Sequence, residues 1–427
     1  MDVLSVAREA LDTGPLCDHC LGRLVADRSF GLGNADRGEA LRVTVALADD
    51  ADFEAGAGED CWVCEGECAR FDWWAETAAA AVRGYDFSTY QVGARVPPLV
   101  AENDRLLRED VGLDPEAGEL LKSEFNREVG KRFGAATGTE VDFERPHVML
   151  TCDLSTDGVD VQVNSAFVYG RYRKLERDIP QTEWPCRECN GTGRKRDELC
   201  PGCDGTGYRY DESVEGFTAP VVQEFMDGTD ATFHGAGRED VDALMLGTGR
   251  PFVVEVDEPR VREVDTDALE SEINDRAEGH VEVEGLRLAT HDMVERVKEL
   301  PASKTYRLEV TFSAPVDRAS FENALRDLDG ATISQETPQR VDHRRASKTR
   351  TRQVYAIDGD FDRGGHGATL EIHGEGGLYV KELAHGDEGR TEPCLATLLG
   401  IEVSVTGLDV LAVEGEDEPF EDDAYFV

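Results

Sequence analysis

Apolar and polar positions alternate with two different periods along the 427-residue chain, and the periods predict a mixed architecture. Residues 3–11 space Val3, Leu4, Val6, Ala7, Ala10 and Leu11 as the apolar face of an amphipathic helix. Helices are expected over 71–83, with its alanines and two tryptophans, and over 119–133; residues 90–96 and 159–168 read as strands. Farther on, the pattern predicts strands at 252–256 and 281–288 and helices at 266–278 and 292–300. Strict alternation at 306–312 puts Tyr306, Leu308, Val310 and Phe312 on one buried face of a strand. A helix over 317–328 stops at Gly330, and strands follow at 331–335, 354–357, 369–373 and, in two pieces broken at Gly407, 403–413. Helices placed among antiparallel-looking strands give the class α+β.

Two stretches resist a regular period. In 237–252 charge, glycine and short apolar runs alternate abruptly, and the stretch reads as a loop punctuated by Gly247 and Gly249. Within it Asp240 stands two residues from Arg238, with Arg250 farther along. A carboxylate held ionised by guanidinium groups is a candidate nucleophile or base; a structural ion pair explains the same spacing. The second stretch, 374–391, is glycine-rich and offers Tyr379, Lys381 and Arg390, but lacks the spacing of either phosphate-binding glycine loop. A strand-to-helix corner with Tyr379 in the core is the plainer reading.

Composition changes the picture in one respect. Asp and Glu number 89 against 45 Lys and Arg, a formal net charge of −44. An acidic excess spread over the chain suits a surface adapted to very high salt, and an archaeal halophile is the expected source. Such a charge argues against a nucleic-acid partner unless cations are grouped, and here they are: Arg340, His343, Arg344, Arg345, Lys348, Arg350 and Arg352 share one segment. Arg344 and Arg345 are therefore expected in an RNA-binding loop. The run Tyr169–Arg177, in which Arg171, Arg173 and Lys174 accompany Tyr169 and Tyr172, suits RNA or an ordinary edge strand. The N-terminal residues lack the basic start and long apolar run of a signal peptide, and no stretch has the length to span a bilayer, so a cytoplasmic, soluble protein is expected.

The eleven cysteines read as metal ligands before disulfides. Cys17 and Cys20 form one CxxC knuckle and Cys61 and Cys64 another, with Cys68 as a spare; paired knuckles suit tetrahedral Zn²⁺. Cys186, Cys189, Cys200 and Cys203 belong to two copies of CxxCxGxG, a stronger signal, similar to half of the cysteine-rich region of DnaJ chaperones. Zinc there would stiffen a linker or extend an RNA-binding arm.

Taken together, three separated motifs resemble those of the pseudouridine synthases. Gly237-Arg238-Glu239-Asp240 looks like the GRxD motif that carries the nucleophilic Asp; Lys304-Thr305-Tyr306-Arg307 looks like the strand motif whose Tyr packs on the target uracil; Leu378-Tyr379-Val380-Lys381 looks like the third motif. GREDVDALMLGTGRPF, IPQTEWPCRECNGTG and KELAHGDEGRTEP resemble longer signatures of the archaeal tRNA branch with an N-terminal THUMP domain and zinc knuckles. The resemblance implies a zinc-knuckle region over 1–70, a THUMP-like domain over 71–180, a knuckle linker over 181–212 and a catalytic domain with an antiparallel sheet over 213–427. It implies a tRNA partner, isomerisation of uridine to pseudouridine at T-loop positions 54 and 55, and Asp240 as nucleophile. Arg238, Tyr306 and Tyr379 would be substrate contacts, and Lys381 and Arg390 RNA contacts. No nucleotide or other catalytic cofactor is implied, and zinc would be structural. A zinc-stabilised RNA-binding protein or chaperone without catalysis is the alternative.

Overall fold

The computed structural model describes residues 2–339 and 348–427, and the expected RNA contacts Arg344 and Arg345 lie outside these. The chain divides into two compact units, the first ending at Asn164 and the second beginning at Ser165. In the first, the helices Phe71–Ala81 and Leu121–Thr137 accompany a four-stranded sheet ordered Glu140–Val141, Thr89–Arg95, Val148–Asp153, Gly158–Val163. Alternation decides which side is buried: Tyr90, Val92 and Ala94 on one strand and Val148, Leu150 and Cys152 on its parallel neighbour turn inward to meet Phe125, Val129 and Phe133. The five N-terminal cysteines belong to this same buried cluster.

The second unit is built on a ten-stranded sheet. Its order is Val281–Ala289, Ala166–Lys174, Leu244–Asp257, Val403–Gly415, Ala302–Phe312, Gly367–Gly374, Thr349–Phe361, Thr332–Glu336 and Thr391–Glu392, with Asp230–Gly235 branching onto Leu244–Asp257. Neighbours run antiparallel except at the centre, where Leu244 and Met245 pair in parallel with Asp409 and Val410. One hydrophobic cluster gathers Tyr169, Phe252, Ile273 and Met293; another gathers Leu308, Phe321, Leu370 and Leu383, and Tyr306 packs against both.

Four sequence expectations change. Residues 159–168 are two strands, not one: Gly158–Val163 ends the first sheet, and Ala166–Lys174 enters the second unit. The reason is burial, since Val159, Val161 and Val163 alternate with polar residues whereas Ala166 to Gly170 are buried without interruption, as befits a strand covered on both faces. The division therefore falls at 164/165 rather than at 180. Of the supposed loop 237–252, only the part up to Ala243 is irregular; Leu244–Asp257 is a continuous strand. Gly247, at φ +56°, takes the left-handed turn within it, and a Cβ there would come within 2.1 Å of the Leu411 carbonyl. Finally, 403–413 is one strand, and the irregularity near Gly407 is a register shift opposite Glu309 and Val310. Among the described residues no helix is long and apolar enough to cross a membrane.

Candidate active site

The segment between Gly235 and Leu244 buries Ala236, Glu239 and Ala243 and leaves Arg238 and Asp242 exposed. Gly237 takes φ +75°, and Lys304 Nζ and Arg250 Nη1 stand 3.3 Å and 3.4 Å from where its Cβ would be, so the backbone is crossed closely by cations. Arg238 points outward, its guanidinium 5.8 Å from the Trp184 ring centre. Glu239 points inward and is buried: it forms an ion pair with Arg250 at 3.0 Å and accepts a 2.9 Å hydrogen bond from the Tyr172 hydroxyl. Gln181 donates to both Tyr172 Oη, at 2.8 Å, and the Gly237 carbonyl, at 2.9 Å, and Arg250 donates to the Ala236 carbonyl at 2.8 Å. These hydrogen bonds and the Arg250–Glu239 ion pair form a buried polar network that makes a floor for the segment.

Asp240 comes next, half-buried. Lys381 Nζ donates to its Oδ2 at 3.1 Å and stands 3.8 Å from Oδ2 of Asp242, whose side chain is 70% exposed against 42% for Asp240. Lys381, expected as an RNA contact, is thus turned to the carboxylate. Its position follows from the helix Val380–His385, which starts immediately after Tyr379. Tyr379 is fixed through its main chain: the buried Gln335 amide donates to the Tyr379 carbonyl and accepts from the Tyr379 N–H, both at 2.9 Å. Arg390 donates to the Thr337 carbonyl at 3.3 Å.

Tyr306, on the strand Ala302–Phe312, packs against both cores. Burial pushes its phenol up to about 12, with Arg250 opposing and the Asp240 charge adding to the rise. The ring therefore remains a neutral hydroxyl at ordinary pH, an aromatic surface rather than a phenolate base. Asp240, Tyr306, Arg250 and Lys381 meet where the strands Leu244–Asp257, Val403–Gly415 and Ala302–Phe312 lie side by side. Such an arrangement holds a carboxylate beside a planar aromatic surface, which suits attack on a nucleoside whose base is stacked.

Comparison with known proteins decides the family. A family model described as "Pus10, C-terminal" matches residues 167–414, and one described as "Pus10 THUMP domain, archaeal" matches residues 74–153. The chain belongs to the Pus10 family. A Halorubrum lacusprofundi protein named tRNA pseudouridine synthase Pus10 is 66% identical over the whole of both chains. Relatives of the same name from Methanothrix thermoacetophila and Pyrococcus furiosus are 41% and 36% identical, covering 97% and 96% of this chain and 95% and 98% of theirs.

Two cysteine groups in this Pus10 chain fit a metal ion. Sulfurs of Cys17, Cys20, Cys64 and Cys68 lie within 4.8 Å of one another, as do those of Cys186, Cys189, Cys200 and Cys203. Thiolates about 2.3 Å from a tetrahedral zinc stand about 3.8 Å apart, and the 3.8 Å Cys17–Cys64 and 3.7 Å Cys189–Cys203 separations match. The turn Glu67–Arg70 carries Cys68 into the first group, while Cys61, expected as a ligand, stands beside it with its sulfur 3.5 Å from Cys20 Sγ. Arg23 donates to Cys68 Sγ at 3.4 Å, and the Gly207 N–H to Cys203 Sγ at 3.2 Å.

The basic-aromatic run has a different place from the one its composition suggests. Tyr169, Tyr172 and Lys174 are buried; Arg171 pairs with Glu414 and Glu421, Arg173 with Glu282 and Glu284. Its cations are spent inside the fold. Glu239, Gln181 and Gln335 escaped the sequence pattern because the groups they bond, the Tyr172 hydroxyl, the Gly237 carbonyl and the Tyr379 main chain, lie 67, 56 and 44 residues away.

Proposed function

We propose that the chain isomerises uridine to pseudouridine in the T loop of tRNA, at positions 54 and 55, with Asp240 as nucleophile. The observation that carries the reading is the Asp240 carboxylate, held by Lys381 at 3.1 Å beside the neutral Tyr306 ring. A T-loop uridine is folded into the RNA, so it must leave its stack to be reached, and Tyr306 supplies a replacement stacking surface. Asp240 assists cleavage of the bond between ribose C1′ and uracil N1. The detached base rotates, a C5–C1′ bond forms, C5 gives up its proton and N1 gains one, so substrate and product have the same atoms. Tyr379 and Arg238 contact the flipped nucleotide. Arg390, Arg344 and Arg345 contact the tRNA.

Both cysteine groups would hold zinc structurally. Four thiolates close the tetrahedron and leave no open coordination position for catalysis.

The test is conversion of an unmodified tRNA transcript at high salt, mapped by carbodiimide modification and primer extension, with Asp240→Ala beside wild type. Stops in the T loop with wild type alone are expected, with tRNA affinity of the variant within about threefold, because binding is spread over many phosphate and stacking contacts. Tight tRNA binding by wild type with no stop at either uridine overturns the catalytic reading.

A further inference from the structure

Lys174 is fully buried at the end of the strand Ala166–Lys174. Its ammonium donates to three main-chain carbonyls: Ile179 at 2.7 Å, Val241 at 2.9 Å and Asp240 itself at 3.4 Å. We propose that Lys174 is a positioning residue, whose buried ammonium gathers these carbonyls and thereby sets where the Asp240 carboxylate stands. The proposal rests on the reading of Asp240 as nucleophile.

An ammonium has three donors and no acceptor, and all three find carbonyl oxygens here. Taking a lysine out of water is costly, and burial lowers its affinity for the proton, with the charges of Glu239 and Asp242 opposing that fall. A neutral long side chain would fill this place at far less cost if packing were its whole purpose. What the charge adds is convergence. Three carbonyl dipoles aimed at one point repel one another, and a cation between them offsets that repulsion where the turn at 179 meets the segment 240–241.

The neighbours complete the arrangement. The Asp178 N–H donates to the Val241 carbonyl at 3.0 Å, and Arg177 donates to the Asp242 carbonyl at 2.7 Å. Gln181 and Arg250 hold the preceding carbonyls of Gly237 and Ala236. Residues 174–181 therefore act as a template for 236–242, and Lys174 takes the point nearest the reacting carboxylate. A displacement of about 1 Å at a reacting group costs on the order of 100-fold in rate.

The experiment compares wild type, Asp240→Ala and Lys174→Met in single-turnover pseudouridine formation at saturating enzyme, with tRNA affinity and thermal melting measured on the same preparations. Lys174→Met keeps most of the length of the side chain and removes the charge. The expected result is cooperative melting, tRNA affinity within about threefold of wild type and a rate lower by about 100-fold. A rate within about threefold of wild type, or a rate and an affinity that fall in proportion, overturns the proposal. If Lys174→Met melts below the assay temperature, Lys174→Ala is titrated with n-propylammonium chloride: a saturable gain in rate at constant tRNA affinity supports the proposal, and no gain overturns it. An active Asp240→Ala enzyme sinks the nucleophile reading instead, which keeps the two failures apart.

Discussion

Lys381 faces two carboxylates and treats them unequally. It makes a 3.1 Å hydrogen bond to the more sheltered Asp240 and stands 3.8 Å from the more exposed Asp242, where water screens the attraction. The sequence spacing alone leaves both acids on one side of an extended chain; the lysine 141 residues away separates them. Lys381→Met is accordingly expected to lower the single-turnover rate by at least about 30-fold with little change in tRNA affinity, whereas Asp242→Asn stays within about threefold. Loss of activity in Asp242→Asn with Asp240→Asn still active would reverse the assignment. Asp240, Tyr306 and Tyr379 were legible as candidates because they stand in motifs of recognisable spacing. Glu239 was not, since nothing local says that it turns inward to Arg250, nor was Lys174, whose neighbours in the run suggest an RNA contact.

Elements were legible where one face is wet and one dry. Strands such as Ala302–Phe312 and helices such as Arg318–Leu328 appear within a few residues of their expected bounds. Ala166–Lys174 defeated the pattern because burial on both sides erases alternation, and Leu244–Asp257 because glycines inside a strand imitate a turn. The two cysteine groups also differ at this scale. Cys17, Cys20, Cys61, Cys64 and Cys68 lie inside the hydrophobic cluster of the first unit, while none of the second group belongs to either cluster of the second unit. With zinc held as proposed, replacing Cys64 by Ser should release about one zinc per chain and abolish cooperative melting of the first unit, because these thiols belong to its buried core. Replacing Cys203 should also release about one zinc yet lower the melting temperature by no more than about 3 °C. Elemental analysis with calorimetry reads both outcomes, and equal destabilisation by the two changes would contradict the distinction.

For the whole molecule, a net charge of −44 opposes compaction and is countered by salt. Arginines such as Arg105 and Arg276 each bridge two acids, but such exposed pairs offset little of the excess. The melting temperature should therefore rise by at least about 10 °C as KCl goes from about 0.2 M to about 2 M, a range over which the screening length falls to a few ångströms. Differential scanning fluorimetry across that series checks it, and a flat response would mean that bound ions or local pairing already neutralise the surface.

The parallel contact at the middle of the large sheet joins Leu244 to Asp409, residues 165 apart in the chain. Lys381 reaches Asp240 across a comparable span. During synthesis, then, the centre cannot assemble piece by piece: the first unit can close while most of the second is still unmade, and a ribosome-bound chain halted before residue 381 lacks the lysine that bonds the Asp240 carboxylate. Such a chain would be able to fold in part without being able to act on the tRNAs crowded around its own ribosome.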